Sequence, residues 1–192
     1  MVVYNALGVL MWGAVLVALA ESWWRERSLE RVFKETATLV AMVQTTAILE
    51  IIHSATGLVH SPVLSNIIQV GTRSTVIWLA VASGAGETGM YLAMVVAWGV
   101  SDMTRYLYYI SVQVDRTSRG LLWCRYSFFL VLYPVGAGGE VWLLNLVRLK
   151  EEMWRWPLGV ALVVYPVGFL YMYLHMLGQR KKALRREETK IH

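Results

Sequence analysis

The chain has 192 residues, 57% of them apolar and 16% charged, with a net charge of +5. That length allows one domain, and that balance excludes an ordinary soluble globule, which could not hide so much apolar surface. The lone Cys124 excludes a disulfide framework and any Cys-based metal site within one chain.

Six long apolar stretches follow in chain order: Val2–Ala20, Ala37–Leu58, Pro62–Ser83, Thr88–Val112, Leu121–Val147 and Pro157–Leu177. Each is near or above the roughly 20 residues a helix needs to cross hydrocarbon. The predicted fold is therefore an all-α integral membrane protein, a single-domain bundle of six transmembrane helices. A basic polar tail, Gly178 to His192, follows the last span.

The first stretch lacks a basic front and runs into Glu21-Ser22-Trp23-Trp24, and reads as a retained helix. The link Glu21–Glu35 alternates acids with bases and predicts a short amphipathic surface helix. Trp23, Trp24, Trp123, Trp154 and Trp156 sit near segment ends, as interfacial anchors do. Connections around Ser61 and Gly84–Glu87 are short, so consecutive helices should be antiparallel neighbours. Basic residues concentrate in connections and in the tail, a juxtamembrane pattern that faces anionic membrane lipid rather than nucleic acid. An even number of spans leaves both termini on one side. The Lys/Arg bias is nearly balanced, and the dense tail tips that side toward the cytosol.

Ionisable groups inside spans are costly and are candidates for function. The second, third and fourth stretches supply Glu50, His53, Arg73, Asp102 and Arg105, with Gln44 and Gln69 beside them. Glu50 shares a helix face with His53, Gln69 with Arg73, and Asp102 with Arg105 and Tyr106, since each set is spaced by three or four residues. An interior ion-pair network is the plainer expectation for these groups. A polar pocket for a substrate head group is the sharper one.

The fifth stretch adds Arg125, Tyr133, Glu140 and Asn145. Tyr133 and Glu140 are almost two turns apart and point the same way, roughly 10 Å apart in a straight helix. That separation suits two groups flanking a small reacting centre. Pro134, with Gly136, Gly138 and Gly139, is expected to kink the helix and free backbone amides or carbonyls toward a cavity. The second Tyr-Pro-Val-Gly, at Tyr165–Gly168, has no acid after it and reads as a packing kink. A carboxylate and a tyrosine on one face can take a proton from one atom and give one to its neighbour, the requirement for eliminating water. Neither metal nor cofactor is needed for that. The histidines, His53, His60, His175 and His192, are too scattered for a metal centre, and no nucleotide-cradling Gly-rich loop with Lys and no Gly-x-Ser-x-Gly elbow is present.

These residues carry a resemblance. Tyr4-Asn5 with Trp12, Leu49-Glu50-Ile51-Ile52-His53 to Gly57, Gln69 to Arg73, Trp98 to Arg105-Tyr106, and Tyr126 through Tyr133-Pro134-Val135-Gly136 to Glu140 appear in one order. In that order the chain resembles the 3-hydroxyacyl-CoA dehydratase family of very-long-chain fatty acid elongation, also called protein tyrosine phosphatase-like proteins. The Tyr-Pro-x-Gly-x-x-x-Glu stretch is the most specific part. The resemblance implies a six-span endoplasmic reticulum enzyme that converts (3R)-3-hydroxyacyl-CoA to trans-2-enoyl-CoA. It implies Tyr133 and Glu140 as the catalytic pair. Glu50, Gln69, Arg73, Asp102, Arg105, Tyr106 and Gly136 become supporting or substrate-binding residues; apart from the resemblance, a developing enolate needs donors, for which backbone amides around Pro134–Gly139 or Asn145 are candidates. The resemblance leaves room for contacts with other fatty acid elongation enzymes.

Two departures stand out. Asp102 occupies a position where the family expects Glu, with a shorter reach toward Arg105. The phosphatase-like stretch His53–Pro62 has no Cys, and no Arg after its glycine, which excludes a cysteine phosphatase. Glu140 is the preferred base because a buried carboxylate suits proton abstraction near neutrality, with Tyr133 as acid; the reversed assignment stays open. Two rival functions are a transporter using Glu50, Asp102 and Glu140 as an ion path, and a non-catalytic scaffold of the same fold.

Overall fold

Inside hydrocarbon a backbone amide has no water to bond, so the chain must satisfy it within a helix. The computed structural model describes residues 1–56 and 63–189, and among these no strand forms. The helices are α1 (Val2–Glu26), α2 (Leu29–Thr46), α3 (Ile48–Ala55), α4 (Val63–Ser83), α5 (Gly89–Gln113), α6 (Arg119–Ser127), α7 (Phe129–Lys150) and α8 (Arg155–Thr189), with a 3-10 turn at Glu152–Trp154. Only Ala47 separates α2 from α3, and only Phe128 separates α6 from α7. The described helices thus form six rods.

Among the described residues, four helical stretches are long and apolar enough to cross a membrane: Val2–Glu26, Leu29–His53, Arg119–Lys150 and Glu152–Ala183. The rods α4 (21 residues) and α5 (25 residues) are also long enough to cross but carry Gln69, Arg73, Asp102 and Arg105. The chain is an all-α membrane protein. Its core centres on α5, which packs against α1 and α7. Tyr91, Met94, Val95 and Trp98 of α5 are buried there with Trp12, Val15 and Leu19 of α1 and Leu143, Leu144 and Val147 of α7. On α8, by contrast, Val160, Val163, Val164 and Val167 are exposed, an apolar surface suited to lipid.

The rods extend past the apolar runs at several ends. α1 continues beyond Ala20 to Glu26, and α2 begins at Leu29. The amphipathic helix expected over 21–35 is therefore absent. Arg27 adopts the left-handed conformation (φ 50°), and its amide caps α1 on the Trp23 carbonyl. The turn is so tight that the charges pair between the two helix ends. Arg25 and the Ser22 hydroxyl both donate to Glu35, each at 2.7 Å, and Arg31 meets Glu26 at 2.8 Å. At the other end of the chain α8 runs on to Thr189, so the basic segment Gln179–Arg186 continues the last rod as helix. The connection around Ser61 and residues 57–62 of the phosphatase-like stretch lie outside the described residues, as do 190–192.

The glycines of α7 do not open the helix. α7 is continuous through Pro134 to Gly139, so the amides there stay within the helix, and the backbone group left without its helical partner is a carbonyl, that of Leu130. The interruption falls at Phe128 instead, more than a turn before the proline that withdraws an amide from the Leu130 carbonyl. The glycines serve close approach. A Cβ on Gly139 would stand 2.5 Å from Met94 Cβ and 3.0 Å from the Met90 carbonyl oxygen, and one on Gly136 would touch the Trp98 ring at 3.4 Å. These small residues let α5 and α7 close on each other, which sets the height of Trp98 beside Glu140.

Candidate active site

The co-facial spacing of Tyr133 and Glu140 on α7 brings both onto the wall of one cavity of about 460 Å³. Gln69, Arg73 and Val76 of α4 form one side, Trp98 of α5 the floor beside Gly136, and Leu158, Tyr165 and Phe169 of α8 the other side. The lining is mainly apolar, with Gln69, Arg73, Tyr133, Glu140 and Tyr165 among its polar residues.

Glu140 is buried, and both of its carboxylate oxygens are engaged. The Trp98 indole N–H donates to Oε1 at 3.1 Å, and Arg73 Nε stands 4.0 Å from the same oxygen. The Tyr165 hydroxyl donates to Oε2 at 2.7 Å. Tyr133 makes no hydrogen bond to Glu140 among the described residues. Its ring is fixed by stacking on Phe169, 5.0 Å between centroids at 15°, and beyond it on Tyr173 at 6.2 Å. The phenol is thereby positioned by its ring, and its hydroxyl is left for the cavity.

Behind Glu140 the charges alternate. Arg73 lies over the Trp98 ring at 5.1 Å and donates to Asp102 Oδ2 at 3.1 Å. Asp102 offers its other oxygen to Arg105 at 3.4 Å. Arg105 holds Glu50 through two bonds of 2.6 and 2.7 Å, and the Tyr106 hydroxyl donates to Glu50 as well. Acid and base thus follow one another from α7 through α4 and α5 to α3. Pairing of this kind offsets the large cost of removing charges from water. The shorter Asp102 still bridges two arginines. The ion-pair network and the polar pocket are therefore joined, with Glu140 the carboxylate at which the network meets the cavity.

Several sequence candidates stand away from the cavity wall. Glu50, Asp102, Arg105 and Tyr106 belong to the network behind it. Asn145 accepts two bonds from Arg148, at 3.1 and 3.3 Å, and is not among the lining residues. His53 meets the edge of the Tyr4 ring at 4.9 Å. Tyr165, expected to be a packing kink, instead reaches the acid of the neighbouring helix. The duplicate Tyr-Pro-Val-Gly was the one sequence signal for it.

Fold and site together define a polytopic helical membrane protein with a paired carboxylate and tyrosines in an apolar interior cavity. Residues 44–186 match the family model described as "Protein tyrosine phosphatase-like protein, PTPLA". The chain is 37% identical over 192 residues to the probable very-long-chain (3R)-3-hydroxyacyl-CoA dehydratase of Schizosaccharomyces pombe, covering 95% of this chain and 91% of that protein. It is 33% identical to the very-long-chain (3R)-3-hydroxyacyl-CoA dehydratase hpo-8 of Caenorhabditis elegans, covering 96% and 94%. To the dehydratase PASTICCINO 2 of Arabidopsis thaliana it is 32% identical, covering 96% and 92%. No solved structure is significantly similar. The chain belongs to the protein tyrosine phosphatase-like family, that of the very-long-chain 3-hydroxyacyl-CoA dehydratases.

Proposed function

We propose that this protein dehydrates (3R)-3-hydroxyacyl-CoA to trans-2-enoyl-CoA, with Glu140 and Tyr133 as its acid–base pair. The observation that carries the reading is their sharing of one apolar-walled cavity, close to Arg73 and Gln69. Glu140, with three donors around it, takes the α-proton beside the thioester. That electron pair forms the Cα–Cβ double bond while the Cβ–O bond breaks. Tyr133 protonates the departing hydroxyl, which leaves as water. A proton passing from Glu140 back to Tyr133 through the released water restores both groups. Arg73 and Gln69, on the α4 wall, supply donors to the thioester oxygen as charge develops on it.

The acyl chain lies along the apolar lining of α7 and α8, and basic residues at the mouth meet the CoA phosphates as charge-assisted contacts. In this reading all six rods cross the endoplasmic reticulum membrane with both termini cytosolic, and other elongation enzymes are neighbours. The α4 and α5 rods are tolerated there because their charges face one another inside the bundle. The dehydratase name comes from the relatives; the residues that would do the chemistry come from this chain.

Purified protein incubated with 3-hydroxyacyl-CoA should yield the conjugated enoyl thioester. Ion or proton flux in liposomes with no enoyl product would instead make the acids a transport path, and neither activity would leave a scaffold.

A further inference from the structure

We infer that Tyr165 is a positioning residue of the reaction centre, holding the Glu140 carboxylate in its working orientation. The inference rests on the dehydratase reading of the same cavity. A carboxylate turns about its last bond unless both oxygens are held. Trp98 holds Oε1 at 3.1 Å, and Tyr165 holds Oε2 at 2.7 Å. Without the Tyr165 hydroxyl, the second oxygen has no donor among the described residues. The phenol spends its only hydrogen on this bond, so the remaining lone pairs of Oε2 stay open to a substrate proton.

The placement of Tyr165 on α8 gives this bond a wider consequence. Leu158, Tyr165 and Phe169 fall on one helical face and all line the cavity, while Val160, Val163 and Val167 of the same helix are exposed and do not. Phe169, one turn beyond Tyr165, carries the stacked ring of Tyr133 at 5.0 Å. The inner face of α8 therefore holds both members of the pair: Tyr165 orients the carboxylate, and Phe169 seats the phenol. The two groups are joined by no hydrogen bond, so α8 sets the gap into which the substrate's Cα and Cβ fit.

Tyr165→Phe removes only the hydroxyl and keeps the ring in the wall. Assayed in the full-length protein in lipid nanodiscs, it should lower kcat about 10–100-fold, the usual loss for a hydrogen bond to a charged group, with KM nearly unchanged. Tyr165→Leu removes the ring as well and should raise KM in addition. Infrared spectroscopy gives a readout independent of turnover. The carboxylate band assigned to Glu140, by its loss in Glu140→Gln, should move in Tyr165→Phe. An unmoved band, an unchanged kcat, or a loss expressed in KM alone overturns the assignment of Tyr165. A wild-type protein that fails to turn over substrate overturns the dehydratase reading instead, and the infrared band still decides the role of Tyr165.

Discussion

Arg105 grips both oxygens of Glu50, with Nη1 at 2.6 Å from Oε2 and Nη2 at 2.7 Å from Oε1, across 55 residues of sequence. The bond is bidentate and ties α5 to α3, with the Tyr106 hydroxyl of α5 donating to the same carboxylate beside it. Because Arg105 also faces Asp102, it connects this anchor to Arg73 and so to the cavity. The far end of the charge network is thus a fastening for the near end.

Breaking that fastening should be costly. Arg105→Met leaves the Glu50 carboxylate without its cation, and loss of one partner of a buried pair costs about 3–5 kcal/mol. Thermal denaturation in detergent should show a clear fall in Tm. The double variant Glu50→Gln with Arg105→Met should recover part of it, since no lone charge then remains. Equal melting of wild type and Arg105→Met would show that the pair does not hold the bundle.

The contact of α5 with α7 makes a second expectation. Gly139→Ala places a methyl 2.5 Å from Met94 Cβ and 3.0 Å from a backbone oxygen, so the two helices must separate. Overpacking of this kind costs about 1–3 kcal/mol. It should also pull Trp98 away from Glu140 and lower turnover. Gly138→Ala, whose methyl would meet only the end of the Met90 side chain at 3.7 Å, should leave both stability and turnover near wild type.

The seat of Tyr133 is testable through its neighbour. Phe169→Ala removes the ring on which Tyr133 stacks, a contact worth about 0.5–1.5 kcal/mol beyond its buried area. The phenol should then sample several positions, and kcat should fall about tenfold. Phe169→Trp preserves a stacking surface and should keep more activity than Phe169→Ala, as steady-state kinetics on both variants would show.

Arg73 supplies the fourth expectation. Its guanidinium serves Asp102 at 3.1 Å, approaches Glu140 at 4.0 Å and covers the Trp98 ring at 5.1 Å. A lysine ammonium cannot do all three at once. Arg73→Lys should keep the charge yet lose about tenfold or more in kcat/KM, and retained wild-type kinetics would remove Arg73 from the site.

What could be read from the sequence follows the reach of helical spacing. Tyr133 and Glu140 lie on one helix, so their shared face was legible from their numbers alone. Asp102 and Arg105 were likewise visible as a pair at i and i+3. Tyr165 was not, because its partner belongs to α7 and spacing along α8 says nothing of a neighbouring helix. The Glu50–Arg105 bond has the same character: the charges were evident, their pairing was not. The glycines of α7 are ambiguous in sequence, because Gly permits both exposure and close packing; the nearness of Met94 decides for packing. The link after α1 misled for a simpler reason. Its alternating charges fit a surface helix, but they pair between the ends of two longer ones.

The most direct measurement compares wild type, Tyr133→Phe and Glu140→Gln for conversion of 3-hydroxyacyl-CoA to trans-2-enoyl-CoA. All three should be purified in lipid nanodiscs and matched for folding by their melting curves. Wild type should form the enoyl product, while each variant, folded and able to bind substrate, should lose about 100-fold or more of the rate expected from acid–base catalysis. Wild-type rates in both folded variants would contradict a Glu140–Tyr133 centre outright.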